Sequence, residues 1–450
     1  MNHFDELLEA KMKMGLYQYI LLISSCLLLF TNGAFQLILP IAAKRLQTEL
    51  FLSMEQLSLL TSAYQFGCLM GGFFVGFLAD HYGRHKVLLL NNLFGIIATL
   101  LLFFSQTFTG ILAANVMLGT YSSSNYVVLV TYLFEHLPGK TRGRITVVFK
   151  SFTTIGRTLG AQIAAFAMNP YQIDYWKSPI LVTGMFIVVV FVPFMLVLRE
   201  SLRFSYSSHD YDSLFQNFNW ILRVNRSSEK NPSEVTKPIT YGHISVLKTN
   251  SLLRKSAVKN DNSIQMYVSI KYLYTNIALT LNRTLIQATL TGFMTVFPQI
   301  FGTDQDAINK MTLITSGEYF GTFLCGLIVD TKTFGRKRTI WLNNVASTIL
   351  FLMIPFVSEW LVVVLIFLTR ISTKCSLTAI EIYAVEIYPV KMRAFAAGVN
   401  TVVVGATLTV FPFIFISLQK VNEFAIYYLM ALFVLVSFVL SYFLQKDVPR

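Results

Sequence analysis

Apolar residues arrive in long unbroken runs separated by short polar punctuation. A helix needs roughly 20 such residues to cross a hydrocarbon core of about 30 Å. Twelve runs qualify, at about 16–42, 56–79, 87–106, 108–133, 145–168, 178–198, 271–299, 309–329, 339–357, 360–384, 393–417 and 424–444. Backbone amides find no water at that depth, so runs of this length predict helices. The period-two alternation of a membrane β-barrel is absent. One polar stretch, from about Arg199 to Ile270, divides the runs six and six. The pattern predicts an all-α membrane protein: an N-terminal six-helix bundle over 1–198, a cytoplasmic linker with short helices over 199–270, and a C-terminal six-helix bundle over 271–450. Within the linker, Ser213–Val224 is expected to form a short surface helix, and 227–237 reads as flexible chain. The acidic start and the lack of a cleavage site predict that the first run is retained.

Composition sharpens this. Hydrophobic residues make up 54% of the 450 and charged residues 13%. A soluble surface needs about twice that charge, so an ordinary soluble enzyme and a disordered chain are excluded. The formal charge of +13 would suggest nucleic acid in a soluble protein. Here no nucleic-acid partner is expected, because an excess of Lys/Arg in cytoplasmic loops is the plainer cause. With the N-terminus inside, the short inner loops hold Arg84, Lys86, Lys140, Arg142, Arg144, Lys332, Arg336, Lys337, Arg338, Lys391 and Arg393, against five basic residues outside. Both termini are therefore expected in the cytoplasm, with the lipid bilayer as the standing partner, in the plasma membrane or an internal one. The four cysteines sit in apolar runs without a CxxC spacing, and the six histidines fall in the tail or polar loops, so no metal site, disulfide frame or cofactor is expected. The histidines read as solvated or facing headgroups. No Gly-x4-Gly-Lys-Ser/Thr loop is present, which argues against a primary pump, and no hydrolytic triad points to an enzyme.

The two halves repeat each other. Gly76-Phe-Leu-Ala-Asp80-His-Tyr-Gly83-Arg84 follows the second run, and Gly326-Leu-Ile-Val-Asp330, leading to Gly335-Arg336-Lys337-Arg338, follows the eighth. An offset of 250 also pairs Gly67 with Gly317 and Gly71 with Gly321. An offset of 251 pairs Glu135-His-Leu-Pro138 and Arg142 with Glu386-Ile-Tyr-Pro389 and Arg393. Two unrelated motifs at nearly one offset indicate duplication, which in transporters places the substrate path between the halves near mid-bilayer.

The stretch GFLADHYGRHK resembles the signature loop of the major facilitator superfamily. The Glu-x-x-Pro-x-x-x-Arg marks, with Glu200-Ser-Leu-Arg203-Phe204 after the sixth run and Ile221-Leu-Arg-Val-Asn225 in the linker, resemble its sugar-porter and organic cation/anion transporter branches. The run Arg370-Ile-Ser-Thr-Lys374, with a basic residue sixteen positions before Glu386, is most similar to the organic-ion branch. The resemblance implies two pseudo-symmetric six-helix bundles that rock around a central cavity. It further implies that Asp80, Arg84, Glu135, Arg142, Glu200 and Arg203 gate the cytoplasmic side, with Asp330, Arg336, Glu386 and Arg393 repeating them in the second half. The second loop departs from the pattern by two extra residues between Asp330 and Gly335, so an altered turn is expected there. The first-run acid of proton-coupled relatives is missing, with Asn32 nearby.

Four ions lie near the centres of their runs: Arg157, Arg283, Glu318 and Lys374. Each costs ~2.5–3.5 kcal/mol at a helix centre on insertion scales, so each must face another ion, water or substrate. Together they sum to +2, which favours an anionic ligand such as a carboxylate or phosphate ester. Arg283 and Glu318 are candidates for a structural pair. Arg157 and Lys374 have no obvious acidic partner at their depth and read as cavity groups. Arg370, Lys374 and Glu381 share one helix face by spacing. Asn32 and Gln36, one turn apart, are candidates to bond the substrate from the first half. Glu318 is the candidate proton carrier, on the general ground that burial disfavours a bare charge. The sequence thus predicts a monomeric secondary or facilitative transporter of a small organic solute, anionic or zwitterionic by preference, with proton symport as an option. The alternatives are a neutral cargo such as a sugar, and a transporter fold kept as a non-transporting receptor or membrane subunit.

Overall fold

The computed structural model describes residues 14–137, 142–167, 177–208, 210–227, 270–301, 305–329, 331, 334–387, 390–422 and 424–444. Every regular element among them is helical. The first bundle has six spans: α1 (Leu16–Glu49), α2 (Met54–Met70) continued by α3 (Gly76–Tyr82), α4 (Arg84–Phe104), α5 (Phe108–His136), α6 (Arg142–Ala167) and α7 (Ser178–Val197). Two short helices follow, α8 (Leu202–Ser207) and α9 (Tyr211–Ser227). The second bundle holds α10 (Ile270–Phe301), α11 (Gln305–Ile328), α12 (Gly335–Met353), α13 (Glu359–Ile387), α14 (Val390–Val421) and α15 (Ala425–Tyr442).

Six of these spans are long and apolar enough to cross a membrane on that ground alone. Others, α6 and α11 among them, carry ions that turn inward. Large apolar side chains stand bare on the outside, among them Phe77, Leu90, Val189 and Leu327. A soluble monomer rarely leaves such faces open, whereas lipid covers them.

Local chemistry sets the helix ends. Ser53 starts α2 with a capping box: its hydroxyl accepts from Gln56 N at 3.2 Å, and its own N–H donates to Gln56 Oε1 at 2.8 Å. A π-helical turn at Gly71–Val75 separates α2 from α3, a break the apolar pattern does not announce. The Gly83 turn (φ +99°) and Gly335 (φ +62°) both use left-handed backbone to start the next span. The longer second loop therefore keeps its turning glycine, although Gly335 is the first residue of its helix and Gly83 precedes one.

The duplication recurs in the packing. A Cβ added at Gly67 or Gly71 would collide with the carbonyls of Val116 or Thr120 on α5. At Gly317 or Gly321 it would meet those of Phe367 or Ile371 on α13. The glycines differ by 250 and their partners by 251, the two offsets of the sequence motifs. Buried amides repeat as well. Ser124 Oγ donates to Asn91 Oδ1 between α5 and α4, and Ser376 Oγ donates to Asn344 Oδ1 between α13 and α12. Asn344 goes further: its Nδ2 donates to Ser437 Oγ on α15 at 2.9 Å, and that hydroxyl donates to Asn282 on α10 at 2.6 Å. Interhelical hydrogen bonds of this kind contribute about 0.6–2 kcal/mol in a membrane. Asn344→Leu is expected to cost about 1–2 kcal/mol, seen as a lower melting temperature in detergent with the fold retained.

The bundles meet chiefly where α2 runs along α14 and α6 along α11. At the end away from the Gly83 turn, Leu37 and Ala161 of the first bundle join Phe293, Met311 and Leu408 of the second in one apolar core. At the Gly83 end, α9 lies on the first bundle with Leu214, Phe218, Ile221 and Leu222 buried. Its Asn225 holds the start of α1, accepting from Tyr17 N at 3.0 Å and donating to Gln18 Oε1 at 2.9 Å. The expected surface helix is thus present, longer by a few residues. His136 corrects the expectation of loop histidines. Helix α5 runs on to include it, and it is fully buried between the rings of Tyr17 and Tyr132.

Candidate functional site

Glu318 sits on α11 between Gly317 and Gly321. With no side chain at those positions, α11 closes on α13, and a Cβ at either would lie 3.0 Å from the Cβ of Arg370 or of Lys374. Arg370 and Lys374 are one turn apart and so face α11 together. From the other bundle, α6 brings Arg157. The result is one buried carboxylate with three cations. Glu318 Oε2 lies 2.6 Å from Arg157 Nη1 and 3.8 Å from Lys374 Nζ, and Oε1 lies 3.4 Å from Arg370 Nη1. The Arg157–Glu318 bridge joins the two bundles directly.

Arg370 is 2% exposed. It donates to Leu290 O at 2.6 Å and stands over the Phe293 ring at 5.0 Å. Its Nε and Nη2, and Nε of Arg157, have no hydrogen-bond partner among the described residues. Three cations and one carboxylate sum to +2. This is the sum expected from sequence, with a different membership. Arg283 does not pair with Glu318; its Nη2 lies 3.5 Å from Glu381 Oε1. Arg157 and Lys374, expected to lack an acidic partner, both have Glu318. The ground for a proton on Glu318, burial of a bare acid, is also not met, because three cations flank it.

Beside this cluster is a cavity of ≈ 120 Å³ between the bundles, whose polar lining includes Gln36, Tyr64, Gln65, Cys68, Arg157 and Gln287. Roughly 150 Å³ suffices for benzene, so this cavity by itself has room for a small polar group. Gln36 lies on the wall as expected. Asn32, one turn earlier, is turned into the first bundle and donates to Ser122 O at 3.4 Å. Gln65 and Gln287 escaped the sequence reading; their signal is an uncharged amide inside an apolar run, weaker than an ion.

The signature-loop residues form a second assembly. Glu200 Oε1 accepts from the backbone N–H groups of Arg84 (3.1 Å), His85 (3.3 Å) and Ser201 (3.0 Å), so a carboxylate caps the start of α4 and its positive dipole end. Arg84 Nη2 lies 3.1 Å from Glu135 Oε1, and the guanidinium stands over Phe204 at 5.3 Å. Gly83 is required twice here, for its φ and because Glu200 and Phe204 occupy the space a Cβ would take. Glu200→Ala leaves three N–H groups without their acceptor and is expected to lower stability by about 1–2 kcal/mol, measured by thermal melting. Arg203 lies half-buried on α8. Arg336 is buried and donates to Val329 O at 3.4 Å. Asp330 lies outside the described residues, as do the side chains of Asp80, Arg142, Glu386 and Arg393.

Comparison with known proteins agrees with this architecture. The family profile of the Major Facilitator Superfamily matches residues 21–304 and again 277–450. The SVOPL protein of Mus musculus is 22% identical over 84% of this chain and 78% of its own length. Organic cation/carnitine transporter 7 of Arabidopsis thaliana is 24% identical over 88% of this chain and 84% of its own. Among solved structures, the partially occluded inward-open xylose transporter XylE of E. coli superposes with a TM-score of 0.73 at 14% identity, covering 96% of this chain and 98% of that one.

Proposed function

Because the chain belongs to the major facilitator superfamily, we propose that it carries a small organic anion or zwitterion across a membrane by alternating access, as a secondary or facilitative transporter. The observation that carries this reading is the inward Arg157–Glu318–Arg370–Lys374 cluster, which spans the two bundles beside the cavity and sums to +2. A neutral solute has no use for that surplus, whereas an anion offsets the cost of holding it in low dielectric. Arg157 and Gln36 would meet the cargo from the first bundle, and Gln287, Arg370 and Lys374 from the second. Arg283 would act apart from them, through Glu381.

The Lys/Arg distribution supports placing the Gly83 turn and both termini in the cytoplasm. There the Arg84–Glu135–Glu200 assembly, with Asp80, Arg142 and Arg203, would set the inner gate, and Arg336, Asp330, Glu386 and Arg393 would repeat it. Asp80→Asn is expected to slow uptake while leaving membrane insertion intact.

A melting screen of the detergent-purified chain tests the cargo class, with organic acids, sugars, organic cations and amino acids as separate arms. A ligand at 100 times its Kd stabilises the native state by about 2.7 kcal/mol. Saturable stabilisation by an acid or zwitterion is the expected result. Stabilisation by sugars alone would transfer the reading to a neutral metabolite.

A further inference from the structure

Glu318 contacts Arg157, Arg370 and Lys374, and of these three Arg157 alone belongs to the first bundle. When the bundles part at this level, Arg157 leaves with α6 while Arg370 and Lys374 stay with α11 and α13. Arg157 would then lose its charge partner in a low-dielectric site, a strongly unfavourable step unless another anion takes the place of Glu318. Arg157 is also on the cavity wall, so such an anion has a path to it.

Resting on the anion-transport reading above, we propose that Glu318 is a built-in stand-in for the carboxylate of the cargo. In the cargo-free protein it satisfies the cation triad and latches α6 to α11. A carboxylate entering from the cavity competes with it for Arg157 and the outer face of the triad, and this exchange of partners releases the latch. The cargo class is accordingly a carboxylate small enough at its charged end to fit ≈ 120 Å³. Arg370 serves as a positioning residue: bound to Leu290 O and stacked on Phe293, it fixes where either carboxylate sits.

Chemical rescue tests this without knowledge of the natural cargo. Glu318→Ala removes the internal carboxylate, and Glu318→Gln removes its charge at constant volume. Full-length protein is melted in sodium acetate, in the neutral isostere acetamide, and in sodium chloride at equal ionic strength. Acetate is expected to raise the melting temperature of Glu318→Ala saturably, at least twice as far as it raises that of the unaltered protein. Chloride and acetamide should shift the two alike. Adding Arg157→Gln to Glu318→Ala should abolish at least half of the acetate shift. If Glu318→Ala does not fold, Glu318→Gln is expected to respond in the same direction, with acetate reaching Arg157 from the cavity. Equal shifts with acetate and chloride in whichever variant folds would overturn the proposal. Loss of both folds in chloride, with no recovery when purified in acetate, would overturn it too. Melting reads occupancy of the triad and not solute movement. A null result here would therefore leave the transport reading standing, and an acetate response without any uptake would strike that reading alone.

Discussion

Arg157→Gln is expected to lower uptake of the acid selected by the melting screen at least about tenfold, with the protein still folded and inserted. Arg157 is the single cation that the first bundle contributes to the triad, and its Nη1 lies 2.6 Å from Glu318. Truncating one partner of a buried charged pair costs roughly 2–5 kcal/mol, and each 1.4 kcal/mol is a factor of ten. The loss falls on the step in which the bundles exchange contacts, because no other cation from the first bundle touches the cluster among the described residues. Arg157→Lys keeps the charge but loses the planar fork, so it should fall between. Exchanging the pair, Arg157→Glu with Glu318→Arg, restores an inter-bundle bridge while moving the surplus cation onto α11. Recovery of folding stability without recovery of uptake would separate the latch from the cargo site. Full uptake by Arg157→Gln, measured as initial rate in proteoliposomes, would remove Arg157 from the mechanism.

Gly67→Val is expected to give little or no folded protein. The α2–α5 crossing is reciprocal: a Cβ at Gly67 would enter the Val116 carbonyl, and one at Gly119 would enter the Tyr64 carbonyl. Neither obstacle is a flexible side chain that swings away, so the helices must separate. Small residues at such crossings are what permits close van der Waals packing between helices in lipid. Overpacking costs ~1–3 kcal/mol even where side chains yield, and here backbone must move. Tyr64 and Cys68 on the same segment also line the cavity, so any protein that survives should be impaired in ligand stabilisation. Monodisperse elution and a melting temperature matching the unaltered chain would refute the packing argument.

The spans were legible because the length of an apolar run is a property of one dimension, and the bilayer supplies the ruler. The duplication was legible for a similar reason: offsets of 250 and 251 survive as facts about residue numbers, and the structure repeats them at Gly67 and Gly317 and at Val116 and Phe367. The charged site was half legible. Mid-run ions had to be inward, and three of the four, Arg157, Glu318 and Lys374, do meet. Which ion meets which depends on helix approach, and helical spacing is silent on that. Glu318 meets Arg370 and Lys374 because Gly317 and Gly321 let α11 settle on α13, whereas Arg283 reaches from α10 across to Glu381 on α13. Arg370 shares a face with Lys374 and lies as near the centre of its run, so it carries the same sequence signal as the four mid-run ions. The polar neighbours of His136 suggest a loop, yet α5 continues through it and Tyr17 and Tyr132 enclose the ring. The π-helical turn at Gly71–Val75 has no signature beyond its paired glycines.

Transport of this kind requires an anion to cross between the bundles at the Arg157 level. Proteoliposomes adsorbed on a solid-supported membrane report charge movement when solute is applied suddenly. A jump in the organic acid that stabilises the protein should evoke a saturable transient current, reduced at least tenfold by Arg157→Gln, while an uncharged sugar at the same concentration evokes none. A current evoked by the sugar and not by any organic acid, unchanged in Arg157→Gln, would contradict it.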